Sequence, residues 1–359
     1  MPITNTLATL SARGFGYGTE DAFGERVFTS PGTYSFLVPV GVTSVSMVAV
    51  GGGGAGCQAI RYLDSFTPSS IVTVTTPGTT VYAGGGGALA YSNAVSVTPG
   101  ETLTVYVGNG GSSSQPTSVN PSQGFGTAGE GSYVLRGPST YLVSAGGGAN
   151  GQTGAGGSVV IGTGYTGGQG GQSAWDNNYG TFIAGGGGGG AAGYSGIGGA
   201  GGNAGQTGGS GSSGVGGGAG GAGAGGLAEY TAGSAFYALY QGGAGGGGVG
   251  LNGQGANGAG GTGMIPNGTF NYTNAFGGGG GSSGAAGEDG GLGSIPSSGQ
   301  GGAYGGGGGA GGSRYRDIGG VFTYVGYSAN NGRNGAVRII WTTNQAVTRA
   351  FPSTNVGPL

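Results

Sequence analysis

The chain has 359 residues, of which 105 are glycine and only 6% are charged, for a formal net charge of -2 at pH 7. It has no His, its nine basic residues are all Arg, and it has a single Cys. Without His or Lys there is no Ser-His-Asp or Cys-His nucleophile, no Schiff base and no phosphate-loop lysine. One Cys makes neither an internal disulfide nor a thiolate zinc site, and scattered Arg on a near-neutral chain leaves no footprint for nucleic acid.

Residues 1–24 are polar and turn-rich, and read as a docking peptide with Arg13, Phe15 and Tyr17 as its contacts; a frayed terminus would read the same. "MPITNTLATLSARGFGYG" lacks the basic start and long apolar core of a secretory leader. No apolar run approaches the roughly 20 residues that span a bilayer. The expectation is assembly in a cytoplasm with no membrane insertion.

From Arg26 the texture changes to strands. "VFTSPGTYSFLVPVGVTSVSMVAV" alternates apolar and polar residues, with Val45, Met47 and Ala49 on one side and Ser44 and Ser46 on the other. Further strand candidates are "SIVTVTT", "AYSNAVSVTPGETLTVYVGNGG", "GSYVLRG", "TYLVSAGGG" and, very late, "NGAVRIIW". Short strands at this spacing predict an all-β chain built on a β-sandwich. The late strand, Ala336 to Trp341, is expected to return to the sandwich and cover an edge. The sandwich then spans 25–145 plus 333–342, residues 146–332 are an insertion, and 343–359 form a C-terminal tail.

Inside the insertion, glycine-rich runs alternate with bulkier breaks. Collagen is excluded, because the glycine phase slips at "GGSGSSGVGGG" and the insertion holds only Pro266 and Pro296. A flexible Gly/Ser linker is one alternative. The other is a bundle of polyglycine II helices, with three residues per turn and a rise of about 3.1 Å. Such helices point their N–H and C=O groups outward, so buried ones must pair with neighbouring helices. Lack of Cβ permits that approach.

The large breaks are "SAWDNNYGTFI", "LAEYTAGSAFYALYQ", "MIPNGTFNYTNAF" and "SRYRDIGGVFTYVGY"; the small ones include "SGSSGV", "VGLNGQ" and "LGSIPSS". Runs that alternate up and down would send large and small breaks to opposite ends of the bundle. Trp175, Tyr179, Tyr230, Tyr237, Tyr240, Tyr272, Tyr315 and Tyr324 then form an aromatic tip suited to recognition. Plugging of the bundle is the other use for such rings. "GED" and "WDNN" lack the ligand count of a calcium loop, G-x-G-x-x-G carries no information at this glycine content, and the acidic residues show no obvious pairing. No metal, cofactor or enzymatic activity is expected.

"GTYSFLVPVGVTSVSMVAVGGGGAG", "VSVTPGETLTVYVGNGG", "GEGSYVLRG" and "LVSAGGGANG" resemble the glycine-rich module of several phage virion proteins. They are also similar to the glycine-rich ectodomain of the anaplastic lymphoma kinase receptor family, a jelly-roll-like sandwich carrying polyglycine II helices. "TLSARGFGYG", "GAVRIIW" and "TRAFPSTNVG" look like the ends of structural proteins from marine T4-like phages, especially cyanophages. Runs split by aromatic breaks resemble the tip adhesin of T-even long tail fibres, whose loops select the host receptor; unlike it, this chain carries its own sandwich. The resemblance implies a jelly-roll-like sandwich with an inserted polyglycine II bundle, on the exterior of a virion. It implies an adhesin that contacts other virion proteins and a host-surface glycan or outer-membrane protein, as a homo-oligomer such as a trimer. A structural virion protein, such as a capsid decoration or fibre spacer, is the alternative.

Overall fold

The computed structural model describes residues 23–58, 81–113, 124–175, 183–204, 212, 214, 218–225, 228–231, 237–240, 242–262, 275–290, 298–311, 313–318, 321–326, 329–343 and 349–353. Among them there is no helix, and the chain is all-β. The strands are β1 (Phe23–Phe28), β2 (Gly32–Leu37), β3 (Ser44–Val50), β4 (Cys57–Gln58), β5 (Leu89–Ser96), β6 (Thr102–Val107) and β7 (Gly124–Phe125). They continue with β8 (Ser132–Arg136), β9 (Thr140–Ala145), β10 (Val159–Ile161), β11 (Thr163–Tyr165), β12 (Ala174–Trp175) and β13 (Ile183–Ala184). The last five are β14 (Ala228–Thr231), β15 (Tyr237–Tyr240), β16 (Ser313–Ile318), β17 (Val321–Gly326) and β18 (Ala336–Thr342).

Two five-stranded antiparallel sheets, ordered β1-β18-β3-β5-β11 and β10-β9-β8-β6-β2, share one core. Val45, Met47 and Ala49 of β3 meet Val337 and Ile339 of β18 there, with Leu103, Val105, Val134 and Val143 from the opposing sheet. Each such side chain contributes on the order of 1.5–3 kcal/mol by leaving water. The late strand β18 pairs with both β1 and β3, so it lies inside the sheet and not at its edge.

The polar side expected for β3 is also buried. Ser46, Val48 and Val50 are covered, and the two valines cluster with Tyr194, Val249, Leu251 and Phe351. Glycine-run turns and the 349–353 segment press on the outer face of this sheet, which alternation in β3 alone could not show. Arg338 of β18 lies in this layer, 1% exposed, donating to the Glu25 carboxylate and to the Leu251 carbonyl at 2.9 Å. Pairing offsets the cost of burying its charge.

The expected boundary near residue 145 does not hold. β10 and β11, placed in the insertion by sequence, pair with β9 and β5. Glycine segments placed in the sandwich, 51–57, 81–88, 107–113 and 125–131, join the packed runs beyond it. Strands become runs wherever side chains give way to glycine, so the two units interleave along the chain.

The runs bond one another with a period of three residues. Gly51, Gly54 and Cys57 donate to residues of 81–88, Gly52 and Ala55 to 125–131, and Gly53 and Gly56 to 329–335. In 242–250, Gly243, Gly246 and Val249 donate to 304–310, Ala244 and Gly247 to 221–224, and Gly245 and Gly248 to 285–288. That run accepts from three others, 188–191, 278–281 and 299–302. Bonds therefore leave these two runs on all sides, and a side chain in such a run collides with a neighbour. A Cβ at Gly187 would sit 2.0 Å from the Gly223 carbonyl oxygen.

Glycine spacing records depth. Surface runs read as glycine pairs separated by one larger residue: in 166–172, Gly167, Gly168, Gly170 and Gly171 are buried while Thr166, Gln169 and Gln172 are exposed. Asn109 and Ser112, and Ala200 and Asn203, repeat the pattern on other flanks. Gly187→Val is expected to destabilise by more than about 4 kcal/mol in denaturant unfolding, against less than about 0.5 for Gln169→Ala.

Glu130 ties neighbouring strands β6 and β8 together where their runs begin, accepting from the Tyr106 hydroxyl at 2.6 Å and from the backbone and side-chain amides of Asn109. The Tyr106 hydrogen bond, then those of Asn109, hold its carboxyl below the usual range, and Tyr106 is itself pushed up to about 12. A depressed folded pKa adds stability above the unfolded value and loses it as pH falls through the folded one. Melting temperature measured against pH should therefore fall less on the acid side in Tyr106→Phe than in the parent.

Candidate functional site

The hydrogen-bond ladders fix the direction of each run. Residues 51–57 leave β3, so Cys57 is farther from the sheets than Gly51. Gly51, Gly54 and Cys57 donate to Ala88, Gly85 and Tyr82, so 81–88 returns inward to β5. Gly308 and Gly311 donate to Gly54 and Cys57, so 305–311 runs outward. Gly189 and Ala192 donate to Gly84 and Gly87, and Gly188 and Ala191 to Ala244 and Gly247, so 184–192 and 242–250 both run inward. Ala244 and Gly247 meet Ala224 and Gly221 in reversed order, so 218–225 runs outward. Gly258 and Gly261 follow it outward, and 275–281 follows 242–250 inward.

These directions bring every described run that flanks a large break to that break at the outer end, away from the sheets. The inner reversals are short. At Gly281–Gly284, Ser282 and Ser283 take positive φ of 48° and 63°, and the Gly284 amide bonds the Gly281 carbonyl. Tyr194, at another inner reversal, is buried against Tyr91 and Phe351.

One small break departs from the expected alternation. Gly290 bonds Ala275 at the outer end, and Gly299 and Gly302 follow Gly243 and Gly246 inward, so the runs flanking 291–297 also meet that segment outside. The cause is the reversal at Ser282–Gly284, which divides what the sequence presents as one glycine run.

Two large breaks combine into one sheet. β14, β15, β16 and β17 form a four-stranded antiparallel sheet, fed by runs that end at Gly225 and Gly311 and by one that begins at Gly242. Its register aligns Tyr230, Ala238, Tyr315 and Tyr324 in one row across all four strands. Neighbours directly opposite share a face, and residues two apart along a strand share it too. That face therefore also holds the positions of Tyr240, Asp317 and Phe322. Tyr237 takes the opposite face, in register with Thr231 and Arg316.

Of the eight aromatic positions singled out by sequence, four fall on one face of this sheet and Tyr237 on the other. Trp175 lies in β12, in register with Ile183 of β13, where another outward run ends. Tyr179 and Tyr272 lie outside the described residues, as do Arg13, Phe15 and Tyr17. Sequence reasoning missed Asp317 and Phe322, which are in register with each other. The signal was present: Ile318 and Val321 pair across Gly319-Gly320, the two-residue spacing of a tight hairpin.

A face with tyrosine positions and a carboxylate position is chemically suited to groups that offer a flat apolar side and hydroxyl donors. Among the described residues no group of His, Cys, Asp and Glu gathers that could hold a metal ion. A scan against protein-family models matches none, and a search of curated proteins finds no match.

The register is open to a direct test. Ala238→Cys with Tyr315→Cys should form a disulfide under mild oxidation, because directly opposed strand residues lie within disulfide reach. Tyr237→Cys with Tyr315→Cys, on opposite faces, should not. Thiol titration reads the result cleanly, since burial pushes the native Cys57 thiol up to about 12 and keeps it unreactive.

Proposed function

We propose that this chain is a phage virion adhesin, a jelly-roll-like sheet pair from which a polyglycine II bundle projects a receptor-binding tip. The bond period of three residues, with each inner run donating to three runs and accepting from three others, supports polyglycine II geometry. The virion setting, on the particle exterior with other virion proteins as neighbours, rests on the resemblance of "GTYSFLVPVGVTSVSMVAVGGGGAG" and its companion segments.

One observation carries the binding reading: the described runs flanking all four large breaks meet them at the same end, away from the sheets. A bundle that needed only closure would be served by short turns like those at its inner end. Long, aromatic-rich segments gathered at one end suit recognition of a host-surface glycan or outer-membrane protein. The reading is of a binding protein without catalytic activity, metal or cofactor.

The opposite end suits attachment. β1 starts and β18 ends there, and Leu37 at the end of β2 and Val40 on the turn into β3 are 64% and 91% exposed. That apolar base also supports the second reading, a structural virion protein held by contacts between subunits.

Alanine at Tyr230, Tyr240, Tyr315 and Tyr324 together should reduce host adsorption at least tenfold while particles assemble and the melting temperature stays within a few degrees. Normal adsorption by that variant, or failed assembly, would favour the structural reading.

A further inference from the structure

Run 107–113 lies on a flank of the bundle and bonds its surroundings unevenly. Its carbonyls at Gly108 and Gly111 accept from Gly335 and Gly332, and those at Asn109 and Ser112 accept from Glu130 and Thr127. Of its amides from Gly108 to Ser113, only that of Gly111 reaches a described backbone carbonyl, that of Gly53. The others end on side-chain oxygens. Gly108 donates to Ser132 Oγ at 3.0 Å, Asn109 to the Glu130 carboxylate at 3.1 Å and Gly110 to Asn334 Oδ1 at 2.9 Å. Ser112 donates to Thr127 Oγ1 at 2.8 Å, and Ser113 to Asn331 Oδ1 at 2.6 Å.

These oxygens follow the run repeat. Asn331 and Asn334 serve Gly110 and Ser113, and Thr127 and Glu130 serve Asn109 and Ser112; each pair is spaced by three residues, and all four of these side-chain bearers are exposed. An inner run such as 242–250 donates to other runs in all three directions. Run 107–113 donates to a run in one direction, and in the other two the side chains stand where the carbonyls of further runs would be. Other flanks repeat the device: Asn203 Oδ1 receives the Gln172 amide, and Asn257 Oδ1 that of Gly218.

We propose that these side chains mask a self-association surface, holding outward amides of run 107–113 that would otherwise bond a second copy of this chain. The two capped sectors present donors, so the partner must present carbonyls there. The Gly110 carbonyl, which no described backbone amide meets, is such a group on the same flank. A sector of donors cannot pair with itself, so the contact is heterologous and joins copies into rings or open chains instead of two-fold dimers. Asn suits the capping place because its side-chain carbonyl supplies an acceptor without a charge. The device is the run counterpart of the features that blunt sheet edges. It depends on the run packing and not on the receptor reading, so its failure leaves host adsorption untouched.

Asn331→Ala with Asn334→Ala removes one pair of caps, whereas Asn331→Asp with Asn334→Asp keeps an acceptor oxygen at each place. Hydrogen exchange across 107–113, read by mass spectrometry on dilute full-length chain, should quicken roughly tenfold at Gly110 and Ser113 in the alanine variant. Sedimentation velocity should show that variant forming larger species as its concentration rises, beyond any formed by the parent or the aspartate variant. Thr127→Val, which keeps the shape and loses the hydroxyl, should produce both effects through Ser112. The proposal is overturned if exchange is unchanged, since the caps are then not made. It is overturned equally if exchange quickens without growth in size, since the caps are then only local supports, or if the aspartate variant grows as the alanine one does. Melting temperatures within a few degrees of the parent separate uncapping from unfolding; if the alanine pair unfolds, Thr127→Val decides alone.

Discussion

Lateral hydrogen bonding between backbones is the constraint on which the molecule depends. An extended run with three residues per repeat has no bonds of its own, so each buried amide and carbonyl must be met by another run. Ordering costs roughly 1–2 kcal/mol per residue, and a net hydrogen bond returns about 1. An isolated run is therefore unstable, and only one enclosed by others can persist. Enclosure in turn forbids side chains: the Cβ of Gly187 would enter the Gly223 carbonyl, and that of Gly54 the Ala149 carbonyl, each at about 2 Å. Glycine is thus required by close approach more than by backbone freedom, since only a minority of the described glycines, such as Gly137 and Gly218, take positive φ.

The sheet pair removes the cost of starting such an assembly. Strands β18, β3 and β5 are neighbours in one sheet, and their continuations, 329–335, 51–57 and 81–88, bond one another in the same order. β6, β8 and β9 pass their order to 107–113, 125–131 and 145–149 in the same way. Between the sheets, side chains hold the layers near 10 Å apart. Beyond the last core residues that filling disappears, and the layers close until Gly52 bonds Glu130 and Gly148 bonds Gly52 across them. The change from valine to glycine along β3 and its continuation is therefore a change from sheet packing to run packing without a break in the chain.

Much of this was legible in the residues. Alternation in β3 gave Val45, Met47 and Ala49 as core, and the isolated apolar stretch from Ala336 gave a strand belonging to the first sheet. Other features were hidden for physical reasons. A reversal such as Ser282–Gly284 needs no bulky residue or proline, so a glycine-rich line contains no mark where it turns. Val48 and Val50 face turns that come from far along the chain, and no local pattern reports that. The depth of each run was written in the sequence but in a period of three: Gly-Gly-Gln in 167–172 is a surface run, while unbroken glycine in 185–190 is an interior one. At the outer end, aromatic residues identified the segments involved, whereas their division between faces waited on register. Asp317 entered only through its pairing with Phe322.

The polarity of the molecule follows from these constraints. Inner reversals lie against the outer face of a sheet, where their own Tyr194 and Leu251 pack on Val48 and Ile340, so there is little room for longer segments. Outer reversals meet no such surface, and length there costs only the slow growth of loop-closure entropy. Sequence variation is consequently cheap in the outer segments and expensive at the buried glycines of the runs. Three residue periods of packed backbone separate a tip segment from the sheets, so a change in the tip leaves the strand order that nucleates the runs intact. A framework of this kind lets the outer segments change without renegotiating the fold.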